Sequence, residues 1–173
     1  MPCGSITARF DKPAVNKNSV IKKILAQLAS EVEQFRKAAD AARAEATHEQ
    51  SRADNKYDTR GLEASYLARG QSMQAAEVEL AIEQFSQLSS RAFGATDPID
   101  LGALVELEGR TEKALYFVGP RAGGTEVVHD KREILVITSQ SPLGKQLVGK
   151  KQGDKLQIEI GGRRDSYKVL SVA

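Results

Sequence analysis

The sequence predicts an α+β protein, with an N-terminal antiparallel helical hairpin followed by a small antiparallel sheet domain that carries one short helix. Two observations lead there. In the first half, apolar residues recur at alternating steps of four and three, the spacing of a coiled-coil seam. In the second half the period falls to two, in short runs punctuated by glycine and proline. Helical and strand patterns are thus segregated along the chain rather than alternating, which points to α+β and not to a doubly wound sheet.

In the first helix, Ile21, Leu25, Leu28, Val32, Phe35, Ala39, Ala42 and Ala46 fall on one seam. The side chains shrink toward Ala46, so a partner helix is expected to approach more closely there. A second helix is expected from Leu62 to Leu88, with Leu62, Tyr66, Met73, Ala76, Leu80, Ile82, Phe85 and Leu88 as its apolar stripe. Arg69 interrupts that stripe, and its step slips after Leu80. No proline lies between Pro13 and Pro98, and Gly61 sits where the first pattern has faded and the second begins. Two matched helices around such a break read as an αα-hairpin turning between Asp54 and Gly61, with arms of about 45–55 Å. The heptads alone also permit a parallel, dimeric coiled coil. The chain would then be a homodimeric scaffold, whereas the hairpin implies a monomer.

The strands follow in order. Leu101–Leu107 and Ala114–Val118 read as two strands, the second stopped by Gly119-Pro120. Val127-Val128 and Ile134–Thr138 lie on either side of an acidic-basic turn. Ser141 is placed to cap a short helix, Pro142 fits its first position, and Leu143, Leu147 and Val148 give it an apolar face. Gly149 is expected to end that helix in the left-handed conformation. Gly153-Asp154 turns the chain into the period-2 strand Lys155–Ile160, and Gly161-Gly162 is a hairpin signal before a last strand through Tyr167, Val169 and Ser171. The expected organisation is an extension over 1–16, a coiled-coil hairpin over 17–91, a linker over 92–98 holding Gly94 and Pro98, and a sheet domain over 99–173.

Composition excludes several classes. Lys and Arg number 25 against 23 Asp and Glu, a net charge of +2, without the basic stripe of a free nucleic-acid binder. The pairs Lys131-Arg132, Lys150-Lys151 and Arg163-Arg164 read mainly as solvated turns. The lone Cys3 excludes an internal disulfide and a cysteine zinc site, and no run of 18 apolar residues suggests a membrane span. No secretory leader is read over 1–15, so an intracellular, cytoplasmic location is expected. His48 and His129 have no triad partner in view, and Gly123-Gly124 precedes a strand, unlike a phosphate-binding loop.

The order helical hairpin, Gly119-Pro120, Ser141-Pro-Leu-Gly-Lys145, then Val148-Gly-Lys-Lys-Gln-Gly-Asp154 resembles the Gre family of bacterial transcription elongation factors. The match is close over 99–172 and architectural over 17–90. The resemblance implies an FKBP-like C-terminal domain that docks at the entrance of RNA polymerase's secondary channel, with the hairpin reaching through it. By the same resemblance Ser141, Pro142, Leu143, Gly144 and Lys145 form the polymerase-binding segment. Any contact with RNA or DNA would be indirect, inside the elongation complex. The FKBP-like fold does not itself license prolyl isomerase activity.

Gre factors are not nucleases alone. Two carboxylates at the hairpin tip help hold a second Mg²⁺ in the polymerase active site, so this chain is expected to carry no catalytic centre and no intrinsic cofactor. Oxygen ligands suit that hard ion. The family's tip reads Asp-Leu-Ser-Glu-Asn-Ala-Glu-Tyr, and registering its Tyr on Tyr66 puts Thr59 and Leu62 at the two acidic positions. The candidate tip acids are instead Asp54, Asp58 and Glu63. Asp58 and Glu63 are the candidate metal pair, with Gly61 supplying a bend between them. The competing reading makes Asp58 or Thr59 the N-cap of the second helix and Glu63 a first-turn acid favoured by the helix dipole. Tyr57 and Tyr66 are read as packing residues of the tip. Two functions stay open within the resemblance: stimulation of transcript cleavage through Asp58 and Glu63, or occupation of the channel without cleavage.

Overall fold

The structure, a computed structural model, describes residues 16–48, 59–110, 112–160 and 163–173. Two long helices come first, α1 (Lys17–Thr47) and α2 (Arg60–Ser86). They are followed by β1 (Leu104–Glu108), β2 (Lys113–Gly119), β3 (Glu126–His129), β4 (Arg132–Thr138), α3 (Pro142–Leu147), β5 (Lys155–Ile160) and β6 (Arg163–Val172). The expected α+β order is present element by element.

α1 starts where Asn16 caps it, its side-chain oxygen accepting from Ser19 N at 3.3 Å. It runs antiparallel to α2. Arg36 Nη2 meets Glu79 Oε1 at 2.7 Å, and seven residues further along α1, Arg43 Nη2 donates to Ser72 Oγ at 2.8 Å, seven residues back along α2. The pairing is therefore within one chain. The α1 seam lies largely as read, with Ile21, Leu28, Val32, Ala39 and Ala42 buried. Val20 and Ile24 are buried as well, because the base of α1 packs on the sheet in addition to α2 and so needs a wider apolar stripe.

The α2 seam differs from the sequence reading. Leu62, Tyr66, Met73 and Leu80 face solvent, Tyr66 being 65% exposed. The face against α1 is Ala64, Ala68, Gln71, Ala75, Val78, Ile82 and Phe85, an unbroken four-three spacing that is mainly alanine toward the tip and keeps Ile82 and Phe85 of the expected stripe at the base. Helices in close contact leave room for little else, so here the bulky residues are the ones turned outward. Gly61 is not a bend either. It is the second residue of α2, and its carbonyl accepts from Ser65 Oγ at 2.8 Å.

The six strands form one sheet in the order β3-β4-β2-β1-β6-β5. All neighbours are antiparallel except β2 and β4, which pair in parallel from Leu115↔Ile134 to Gly119↔Thr138. The chain leaves β2, makes β3 on the outer edge and returns as β4, so β4 runs alongside β2 in the same direction. Asp130 and Lys131 close the tight β3–β4 turn with φ of 50° and 61°, the primed-turn geometry that matches strand twist. A register shift at Glu106/Leu107 bends β1 against β6. Gly161-Gly162 lie outside the described residues, between the paired residues Ile160 and Arg163.

Both faces of the sheet are covered. On one, Val20, Ile21, Ile24, Leu28, Ala81 and Phe85 from the hairpin base pack against Leu104, Leu115, Phe117, Ile134 and Val136. Gly119 must lack a side chain there, since a Cβ would stand 2.7 Å from Phe85 Cζ. On the other face, Leu147 of α3, Ile99 and Phe93 meet Val105, Leu107, Val118, Ile137 and Val169. The buried Glu106 is held by Arg132 Nη2 at 2.6 Å, so its charge is paired where water is excluded. Hairpin and sheet thus share a core. The 92–98 segment packs on the opposite face through Phe93, over whose ring Lys17 Nζ lies 4.6 Å and Arg91 Cζ 5.0 Å from the centroid.

Candidate functional site

The site residues expected from the sequence fall in two places, the α3 turn and the start of α2. At the first, Ser141 Oγ accepts from Gly144 N at 3.0 Å and donates to Thr138 O at 2.8 Å, so one hydroxyl caps the helix and ties it to the end of β4. Pro142 occupies the opening position and is exposed. Gly144 is buried, and a Cβ on it would come within 1.9 Å of Thr138 O. Its smallness serves the packing of α3 on the sheet. Leu143 is half-buried against the second core, Leu147 is fully buried, and Val148 is partly exposed rather than part of the inward face. Gly149 follows with φ 85°, and its N–H donates to Ile99 O at 2.8 Å while Ile99 N donates to Lys150 O at 2.7 Å.

This divides the five residues of the suspected binding segment. Pro142 and Lys145 face solvent and Leu143 is half open, while Ser141 and Gly144 build the turn that presents them. The segment is thus a rigid projection held by capping and backbone pairing. Its outward chemistry is one pyrrolidine ring, one partly exposed leucine and one cation.

At the start of α2, Glu63 is exposed in the first turn, and Thr59 Oγ1 donates to Glu63 Oε1 at 2.8 Å. Thr59 holds the N-cap position but makes no side-chain cap bond to the backbone; its hydroxyl is spent on Glu63. Leu62 beside them is exposed. Asp54, Asp58 and Tyr57 lie outside the described residues, so of the candidate acids only Glu63 has a described position. Among the described residues no group of three or more His, Cys, Asp or Glu side chains converges on a point that suits a metal ion, and no helix is long and apolar enough to cross a membrane.

The sequence reading missed the outer face of α2 as a surface in its own right. The available signal was the four-three run from Ala64 to Phe85, which has no slip, whereas the bulkier stripe breaks at Arg69 and slips after Leu80.

The architecture is a hairpin of two long helices seated on a six-stranded sheet, with a capped Ser-Pro turn after β4. Residues 95–173 match the family model described as transcription elongation factor, GreA/GreB, C-term. The sheet domain is therefore similar to the C-terminal domain of GreA/GreB factors. It is 29% identical over 120 residues to the transcription inhibitor protein Gfh1 of Thermus thermophilus, covering 67% of this chain and 72% of that protein. Among solved structures, Thermus aquaticus Gfh1 aligns over 87% of this chain and 92% of its own at 25% identity, with a TM-score of 0.38. A GreA/GreB factor from Nitrosomonas europaea aligns over 68% and 94% at 18% identity, with a TM-score of 0.35.

Proposed function

We propose that this chain is a non-enzymatic factor that binds RNA polymerase through the α3 turn and places its hairpin in the secondary channel, where it regulates transcription without stimulating transcript cleavage. The observation that carries the second half is the start of α2. The positions that register with the family's metal-assisting acids hold Thr59 and Leu62, and the nearby carboxylate of Glu63 is engaged by the Thr59 hydroxyl within the helix. A carboxylate with one oxygen already tied to its own N-cap residue, next to a non-ligating leucine, offers less to a hard divalent ion than a free pair of acids would. The name of the Thermus thermophilus relative, a transcription inhibitor, supports the same choice.

Docking draws on Pro142, Leu143 and Lys145 as the outward residues of a rigid turn, with Ser141 and Gly144 as its supports. The chain needs no cofactor of its own. Mg²⁺ would enter only as an ion shared with the polymerase, through Asp58 together with Glu63, and in a factor that does not stimulate cleavage that pair is inactive.

The test is a cleavage assay on a stalled, backtracked complex of bacterial core polymerase over a range of Mg²⁺ concentrations. The expected result is no cleavage above polymerase alone, together with slowed nucleotide addition. Cleavage stimulated by the wild-type chain and abolished by Asp58→Asn with Glu63→Gln would overturn the choice in favour of cleavage stimulation. A chain that fails to bind core polymerase would leave the scaffold reading in its place. Pro142→Ala with Leu143→Asp should weaken binding while the chain stays folded, and unchanged affinity would remove the α3 turn from the interface.

A further inference from the structure

α2 has two apolar faces on opposite sides. One is the small-residue seam against α1. The other carries Leu62, Tyr66, Met73 and Leu80, which are 55%, 65%, 60% and 43% exposed. At about 100° per residue these four lie within about 40° of one another, and they span about 27 Å of helix. Arg69 and Ala76 complete a second heptad spacing between them. Exposed apolar side chains scattered singly mean little, but this is a continuous stripe on a helix already satisfied on its other side, and nothing among the described residues covers it.

Arg69 lies in the middle of that stripe. It makes no ion pair or hydrogen bond among the described residues. Arg36, Arg43 and Arg121, also on or against the hairpin, each hold a carboxylate, those of Glu79, Asp40 and Glu77. A free guanidinium set among apolar side chains matches a surface that is apolar at its ends and acidic at its centre.

Charge also disfavours a second copy of this chain as the occupant. In a parallel pairing Arg69 would meet Arg69. In the antiparallel register that layers Leu62 on Leu80, Glu63 would fall beside Glu77 of the copy. The face is moreover too small to hold a stable dimer by itself, offering a few hundred Å² against about 800 Å² per partner in a standard interface. It suits a contact that adds to a second one made elsewhere on the molecule.

We infer that this outer face of α2 is a docking surface for an apolar protein groove bearing a carboxylate opposite Arg69, lying along the polymerase wall that the hairpin passes. The inference rests on the polymerase reading above and adds to it a defined helix face and a defined charge.

The experiment is competition binding of the full chain to bacterial core RNA polymerase, using labelled wild type as the tracer. Tyr66→Ser with Met73→Ser should weaken binding by about tenfold or more, and Arg69→Glu alone should weaken it by about tenfold. Thermal melting should be unchanged in both, since none of the three side chains enters the α1–α2 seam. If the wild type binds and both variants bind equally well, the docking face is wrong and the polymerase reading survives. If the wild type does not bind, both fall. If sedimentation shows a wild-type dimer that Met73→Ser dissolves, a second copy covers the face and the inference is overturned.

Discussion

α1 and α2 are of similar length and lie against each other along the hairpin, yet they use their large apolar residues in opposite ways. On α1 the large residues mark the inside: Val20, Ile24 and Leu28 are fully buried, and the seam narrows to Ala39 and Ala42 toward the tip. On α2 the seam is Ala64, Ala68 and Ala75 until Phe85 at the base, and the large residues Leu62, Tyr66, Met73 and Leu80 are outside. The difference follows from what each stretch has to fill. At the base the helices sit on a sheet and enclose a volume that needs Leu, Ile and Phe. Along the projecting arms there are only two helices, whose close approach needs alanine. Size therefore marks burial only where a third layer exists.

The sharpest way to test that contrast is at the base. Phe85 is 1% exposed, lies 6.1 Å from Phe117 between ring centroids, and sits over Gly119. Phe85→Ala should cost about 3–5 kcal/mol in chemical denaturation, because it removes the contact that joins hairpin and sheet. A loss of less than about 1 kcal/mol would mean that the shared core does not couple the two.

A smaller effect is expected along the arm. Ala68→Leu, at the alanine seam, should destabilise by about 1–3 kcal/mol through overpacking. Met73→Ser, on the opposite face of the same helix, should stay within about 0.5 kcal/mol of wild type. Equal effects from the two would break the assignment of inner and outer faces.

The smallest effect is at the root of α1. Lys17 donates to the Arg91 carbonyl and lies over Phe93, and burial, with the Arg91 charge adding to it, holds its ammonium below the ordinary value of 10.5. A lowered folded pKa means that the unfolded chain binds more protons in that window. Stability contributed at this site therefore rises as the pH climbs through the folded pKa toward 10.5. The stability difference between wild type and Lys17→Met should accordingly shift in favour of wild type between neutral pH and pH 10. A pH-independent difference would show that Lys17 is not desolvated.

Most of the fold was legible because its signals are local. Heptad spacing on α1, the Ser141-Pro142 cap, Gly149 at positive φ and the period-2 strands each follow from residues a few positions apart. The α2 face was not legible in that way, since a hydrophobicity-weighted reading follows Leu, Tyr and Met ahead of Ala, and nothing in α2 alone says how near its partner lies. For the same reason Gly144 read as part of a binding segment. The closeness of Thr138, six residues earlier, adds a packing requirement at Gly144 that local spacing does not reveal.

The sequence by itself determined the order and type of the elements, the resemblance to Gre factors and the departure at Thr59 and Leu62, because propensity, capping and motif spacing are properties of neighbouring residues. The tertiary structure alone decided which side of α2 meets α1, that β4 runs parallel to β2, that Glu63 is tied to Thr59, and that hairpin and sheet share one core. Those outcomes depend on distances between segments far apart in the chain, where packing volume and hydrogen-bond geometry choose among alternatives that local spacing leaves equal.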